Sequence, residues 1–349
     1  ASKHLYRLSS LTCSDCITIQ RRIIMEDSSI IYVGIDVSKK TLDVTALMPD
    51  KTSLGHIKVS NDKKGFKKIS KWLETLEAQA HICFESTGSY SRGLESYLHD
   101  YTSFRVSVCN PYSINLYIKS KLSRTKTDKA DSKHIAMYVL EMSPKATTKQ
   151  DPVMSQLREK QRYIESLKRK KNHLVSELEH YSDIQVISEI KKSIKNLERQ
   201  MERLEKKMVK FCSEHAHIKK QVELLESIRC IGFKTAVMEL SEMIPQEQRE
   251  ICKKAQTVHA GLAPCIRQSG TSVNSASLSR VSNSRLKSAL YLATLSAIQN
   301  NPLIKAFYKR LVESGKPKMV AIVASMRKLL HICIGVLNSR VPFDPEFVR

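Results

Sequence analysis

Ile30-Ile31-Tyr32-Val33-Gly34-Ile35-Asp36 is the stretch on which the reading of this chain turns. The run from Ile30 to Ile35 is rich in β-branched residues and reads as a buried strand, with the carboxylate of Asp36 emerging at its C-terminal end. Open α/β sheets place their ligands beyond such ends. Farther along, His81-Ile82-Cys83-Phe84 repeats the pattern and delivers Glu85, after which Ser86-Thr87-Gly88 turns the chain into a helical segment from Ser91 to Leu98. Thr127 to Ala136 reads as a helix, and its Asp128 and Asp131, three apart, lie on one face. Hard divalent cations such as Mg²⁺ take oxygen ligands, and a pair of them can stabilise the attacking and leaving oxygens of a phosphoryl displacement. Taken singly, Asp36 serves more readily as a turn cap, Glu85 as a strand-end residue, and Asp128 with Asp131 as first-turn charges that complement the helix dipole. The ordered set of four is what points to phosphodiester chemistry.

Composition names the partner. With 58 Lys plus Arg against 35 Asp plus Glu, the formal net charge is +23, which suits a polyanion, nucleic acid first. An anionic membrane surface would also attract this charge, but the sequence offers no long apolar span and no amphipathic anchor, so no membrane partner is expected. Nine Cys without a disulfide-like framework, and no apolar signal segment, fit a reducing cytoplasm. Cys13 and Cys16 have zinc-knuckle spacing but lack a second ligand pair. They fall in residues 1–28, read as an N-terminal extension, with Met25-Glu26-Asp27 resembling a translation start.

Three blocks follow. From 29 to 150, strand-like runs (Ile30 to Ile35, Leu42 to Leu47, His56 to Val59, Ala80 to Phe84, Phe104 to Cys109) alternate with helical patterns (Lys64 to Glu77, Ser91 to Leu98, Asp128 to Leu140), an α/β domain. From 151 to 222, Leu157, Lys160, Ile164, Leu167, Lys171, Leu174, Leu178 and Tyr181 form one array stepping by three and four. Ile187, Ile190, Ile194, Leu197, Met201, Leu204, Met208 and Phe211 form another. These are coiled-coil heptads, out of phase across Ser182 to Val186, which is either a stutter or the bend of a helical hairpin. The pattern predicts a dimerisation arm, with Lys160 and Lys171 at seam positions; the competing structural role is a helical pair packed on its own domain.

The third block, 223 to 349, is mostly helical in pattern. In Arg229-Cys230-Ile231-Gly232-Phe233-Lys234-Thr235, a turn ahead of a helix puts Lys234 and Thr235 where a backbone phosphate can be received. Gly261 to Gly270 reads as a loop holding Arg267 and a Ser269-Gly270 turn, leading through the Ser-rich, basic stretch Thr271 to Lys287 into a helix at Leu286 to Gln299. From spacing alone, Ser269 is a turn residue more readily than a nucleophile.

Five ordered motifs carry a resemblance. Tyr32 to Lys39, Phe84-Glu85-Ser86-Thr87-Gly88, Lys126 to Asp131, Ala260 to Pro264 with Gln268-Ser269-Gly270, and Gly315-Lys316-Pro317-Lys318 running to Met326 through Leu330 together resemble the DEDD transposases of insertion-sequence family one hundred and ten, the recombinases guided by a bridge RNA. The likeness extends from about residue 29 to the C-terminus. It implies a RuvC-like domain of the ribonuclease H type, a coiled-coil connector and a C-terminal transposase domain. It also implies Asp36, Glu85, Asp128 and Asp131 as an Mg²⁺-binding tetrad, and Ser269 as the nucleophile that forms a phosphoserine linkage to DNA. Lys316 and Lys318 join Lys234, Thr235 and Arg267 as candidate nucleic-acid contacts. The implied partners are donor and target DNA, a structured bridge RNA, and copies of the chain itself, as a dimer through the coiled coil and a tetramer in synapsis, with the tetrad of one subunit acting with the serine of another. The chain departs from the family at Arg229-Cys230, where Pro-Gly is usual, and at Ala276 and Ser282, where Gly is usual. A RuvC-like structure-specific endonuclease and a non-catalytic nucleic-acid-binding coiled-coil scaffold are the alternatives.

Overall fold

A computed structural model describes residues 30–88, 90–122, 127–149, 151–244, 251–269, 273–279 and 281–345, without the side chains of Arg267, Val273, Asn274 and Ala276. Cys13, Cys16 and the rest of the N-terminal extension lie outside the described residues. The chain divides into two units, one ending at Lys149 and the other starting at Gln150.

The first unit is built on one mixed sheet. Strands β1 (Ile30–Val37), β2 (Thr41–Leu47) and β3 (Ser53–Ser60) form an antiparallel meander, and β4 (Gln79–Glu85) and β5 (Arg105–Cys109) run parallel to β1, giving the order β3-β2-β1-β4-β5. Side-chain alternation splits the sheet into two faces. Ile31, Val33, Ile35, Leu42, Val44, Ile82 and Phe84 point to the face covered by α1 (Lys63–Glu74) and α2 (Arg92–Tyr101), where Phe66, Ile69, Leu73, Leu94 and Leu98 complete an apolar core. The other face carries a smaller core of Cys83, Cys109, Ile114, Ile135 and Val139 beneath α3 (Pro111–Ser120) and α4 (Asp128–Met142). Helix α3 has no counterpart among the segments expected from sequence.

The crossing of α4 over the sheet is fixed by Gly34. A Cβ there would stand 2.1 Å from the Ser132 carbonyl oxygen and 2.2 Å from the Ala136 nitrogen, so only hydrogen leaves room for the helix backbone. Beside this contact the buried hydroxyls of Thr45 on β2 and Ser132 on α4 share a 2.7 Å hydrogen bond.

The second unit is helical apart from one β-hairpin. Helix α5 (Pro152–Glu177) and α6 (Ile184–Glu214) lie against each other as a helical hairpin, so the break between the two heptad arrays is a bend, at Tyr181–Asp183. Asp183 caps α6 by accepting from the Gln185 and Val186 amides. The seam lysines are satisfied within the hairpin: Lys160 Nζ stands 4.4 Å from the Phe211 ring centroid, and Lys171 pairs with Glu198 at 3.3 Å. The stem of the hairpin, with Leu157, Met208 and Cys212, enters a core shared with α7 (Ala216–Glu226), α8 (Phe233–Glu242), α10 (Ser284–Asn300), α11 (Pro302–Glu313) and α12 (Lys318–Ser339). Helix α9 (Lys253–His259) precedes the strands β6 (Pro264–Ser269) and β7 (Val273–Leu278). Contrary to the expectation of no long apolar span, α12 is long and apolar enough to cross a membrane, but it is a core helix: Leu329, Leu330, Cys333 and Ile334 are wholly buried.

Candidate active site

Antiparallel and parallel pairing bring four side chains of adjacent strands to one level. Asp36 on β1 pairs across to Asp43 on β2, and Asp43 pairs across to Lys58 on β3. On the other side of β1, Ile35 pairs with Phe84 of β4, so Glu85 follows in step with Asp36. A transverse row, Glu85–Asp36–Asp43–Lys58, therefore runs across the sheet at the C-terminal end of β1 and β4. All four side chains belong to the face that α4 covers, because their neighbours along each strand fill the opposite core.

Helix α4 adds the other two carboxylates from its first turn. Thr127 caps it, the side-chain oxygen accepting from the Ala130 amide at 3.2 Å, and Asp128 and Asp131 occupy the first turn, where anionic charge suits the helix dipole. Electrostatics shows that the groups converge. The Asp36 carboxyl is pushed up to about 6, by burial first and then by the charges of Asp128, Asp131 and Asp43. Glu85 is raised as well, by burial and then by Asp36 and Asp131. The spacing of four acids along the sequence thus becomes one cluster of mutually repelling charges in space.

Two members of this neighbourhood were not legible in the sequence. Asp43 is only 4% exposed, and both its oxygens are engaged: Oδ1 accepts from His56 Nε2 at 3.1 Å and Oδ2 pairs with Lys58 Nζ at 3.0 Å. A carboxylate only accepts, so His56 Nε2 is the donor in this contact. Lys58 also reaches Asp128 Oδ2, at 3.3 Å. The register of the meander places these residues, and no one-dimensional spacing contains it. The four expected ligands are all hard oxygen donors, a set that fits Mg²⁺. Among the described residues no three His, Cys, Asp or Glu side chains form a ready-made metal cage.

The structure gives Ser269 a different setting from the expected loop. It ends β6 and pairs with Val273, the first residue of β7, so it stands exposed next to the connection 270–272 of a two-stranded hairpin. The base of that hairpin is locked. Glu242 of α8, buried, receives the guanidinium fork of Arg162 from α5 at 2.7 and 2.9 Å and the Asn283 amide at 2.8 Å. Burial would raise this carboxyl, but Arg162 and Asn283 outweigh it and hold the group below its ordinary value. Asn283, five residues past β7, also caps α10, its side-chain oxygen accepting from the Arg285 and Leu286 amides, and its backbone N–H donates to the His259 carbonyl at the end of α9.

The expected phosphate contacts are dispersed. Lys234 and Thr235 start α8, where Lys234 Nζ pairs with Glu205 of α6 at 2.7 Å. Lys316 and Lys318 are exposed around the start of α12, and Arg267 lies on β6.

Residues 33–183 match a family described as a transposase of the DEDD, IS110 type, and residues 222–309 match the transposase family IS116/IS110/IS902. The chain belongs to the IS110 family of transposases. Similar proteins of about the same length are the pilin gene-inverting proteins of Moraxella bovis and Moraxella lacunata, each 28% identical over 324 residues, spanning 90% of this chain and 97% of theirs. A 43.6 kDa protein of insertion element IS110 from Streptomyces coelicolor is 29% identical over 94 residues, 25% of this chain and 23% of its own. This IS110-family transposase is thus a DNA recombination enzyme, with its acidic residues inside the first matched region and Ser269 inside the second.

Proposed function

We propose that this transposase cuts and rejoins DNA strands through a Ser269 phosphoserine intermediate, with Asp36, Glu85, Asp128 and Asp131 holding Mg²⁺ and a structured RNA guiding the choice of site. The observation that carries the reading is the row of carboxylates at the C-terminal edge of a β3-β2-β1-β4-β5 sheet, met by the first turn of α4. That order, with an antiparallel meander and parallel outer strands, supports a RuvC-like domain of the ribonuclease H type. A divalent cation held by the tetrad supplies stabilisation of the attacking and leaving oxygens.

The chain's own residues do the rest. Ser269 Oγ gives up its proton and forms a bond to a DNA phosphorus as one P–O bond to the DNA breaks, and the departing DNA oxygen takes up a proton. Reversal by the hydroxyl of another DNA end restores Ser269 and joins the strands. Attachment at the end of a two-stranded hairpin anchored through Asn283 and Glu242 limits the positions Oγ can take. Exposed Lys316 and Lys318 are suited to backbone phosphates, which hold DNA without reading its sequence. Reading sequence then falls to base pairing with the guide, as in other guided systems.

The helical hairpin serves as the dimerisation arm. Its seam residues Ile187, Ile190, Ile194 and Leu197 stay only partly buried within one chain, and Ile184 near the bend is 83% exposed. A second hairpin packed on this seam removes that apolar surface from water. Synapsis of two such dimers makes the tetramer.

The test is recombination in a bacterial cell supplied with the element's flanking DNA. Wild type yields rearranged junctions and a discrete co-purifying RNA, whereas Asp36→Asn and Ser269→Ala each yield no junctions. Retention of strand cleavage by Ser269→Ala would instead favour a plain metal-dependent endonuclease.

A further inference from the structure

Of the five carboxylates gathered at the site, Asp36 is pushed up by burial and then by the charges of Asp128, Asp131 and Asp43, and Glu85 by burial and then by Asp36 and Asp131; a cluster of this kind needs a cation. Among the described residues, Lys58 is the one Lys or Arg in ion-pair contact with any of Asp36, Asp43, Glu85, Asp128 and Asp131. Its two contacts are unequal. Asp43 Oδ2, at 3.0 Å, is nearly buried and clamped from the other side by His56, so that leg is anchored. Asp128 Oδ2, at 3.3 Å, belongs to a side chain 60% exposed, so that leg is the weaker and the first to break. Asp43, with both oxygens occupied, serves as the anchor of Lys58 and is not itself free to coordinate.

We propose that Lys58 is the displaceable counter-ion of the catalytic row: anchored by Asp43, it neutralises Asp128 until a divalent cation takes that carboxylate, and the released ammonium then contacts a phosphate of the bound DNA. The inference rests on the metal-binding reading of the tetrad given above. Three features suit Lys58 to the exchange. Its ammonium carries three donors and a mobile four-carbon stem, so it can keep the bond to Asp43 while its outer contact changes partner. Half of the side chain is already exposed on the α4 side of β3. And its charge stands two strands from Asp36, across Asp43 at the same level of the sheet, where DNA approaching the carboxylates meets like charge.

Titration of the full-length protein with Mn²⁺, read by the electron paramagnetic resonance of the free ion, tests this. Compared are wild type, Lys58→Met, Lys58→Arg and Asp36→Asn. Removing a competitor should make Lys58→Met bind Mn²⁺ about two- to fivefold more tightly than wild type, with Lys58→Arg close to wild type. Binding of a DNA duplex by Lys58→Met should lose about one unit of salt dependence, the mark of one lost phosphate contact. Mn²⁺ affinity that is unchanged or weaker in Lys58→Met overturns the proposal and leaves Lys58 as a strut for α4. Wild type that binds no more Mn²⁺ than Asp36→Asn removes the metal-site reading itself, and the proposal with it.

Discussion

Cys230 holds its backbone at φ 95°, in the region that favours glycine, at the turn where the family carries Pro-Gly. The strain is local and belongs to the side chain, so Cys230→Gly should stabilise the protein by about 1 kcal/mol, seen as a higher urea midpoint. A lower midpoint would mean that the half-buried thiol contributes more packing than its backbone costs. Glu239 is a second site of tension. It is fully buried on α8, neither oxygen has a conventional hydrogen-bond partner among the described residues, and burial pushes its carboxyl up to about 7, offset in part by the thiol of Cys333. The folded value lies above the ordinary 4.5, so the folded chain holds this proton longer than the unfolded chain. Its contribution is fully present below pH 4.5 and is lost as the pH rises to about 7. Glu239→Gln should therefore melt higher than wild type at pH 8 and within about 3 °C of it at pH 5, by differential scanning calorimetry. An equal gap at both pH values would contradict the assignment.

At the scale of elements, the seating of α4 on β1 decides whether the carboxylates meet. Gly34→Ala forces a methyl into the backbone of α4 and should cost about 3 kcal/mol or more, measured by urea unfolding, with loss of recombination. Retained stability would show that α4 can shift without harm. The strands β1, β2 and β4 are legible because they are short, mostly apolar and largely buried runs, and α4 because Thr127 and its two acids mark a helix start. The heptads of α5 and α6 disclose a helical pair, and the structure chooses a bend over a stutter. Helix α3 escapes notice because its apolar residues do not fall on one face: Tyr112 and Leu116 are exposed while Ile114 and Tyr117 are buried, and Asn110-Pro111 alone marks its start. The hairpin bearing Ser269 escapes because its strands, Pro264–Ser269 and Val273–Leu278, carry few large apolar residues, and Ile266 among the described side chains is exposed. Asp43 and Lys58 depend on cross-strand register, which no local pattern encodes.

For the whole molecule, the long helical hairpin and the basic surface matter together. Ile190→Glu with Ile194→Glu places charges on the uncovered part of the seam, away from the stem residues Leu157, Met208 and Cys212. Sedimentation equilibrium should show wild type as a dimer or larger and this variant as a folded monomer; an unchanged mass would assign the seam to internal packing alone. The net charge of +23 should make binding to DNA of any sequence weaken steeply with salt, leaving sequence recognition at physiological ionic strength to the guide that the proposed function invokes. The central claim is that acids and serine belong to one strand-exchange reaction. It is met most directly by trapping the purified protein, loaded with its RNA and Mg²⁺, on a DNA substrate, and mapping the attached residue by peptide mass spectrometry. The account predicts a DNA phosphate bonded to Ser269 that disappears in Asp36→Asn. Cleaved DNA with no protein attached, or attachment at any other residue, would contradict it.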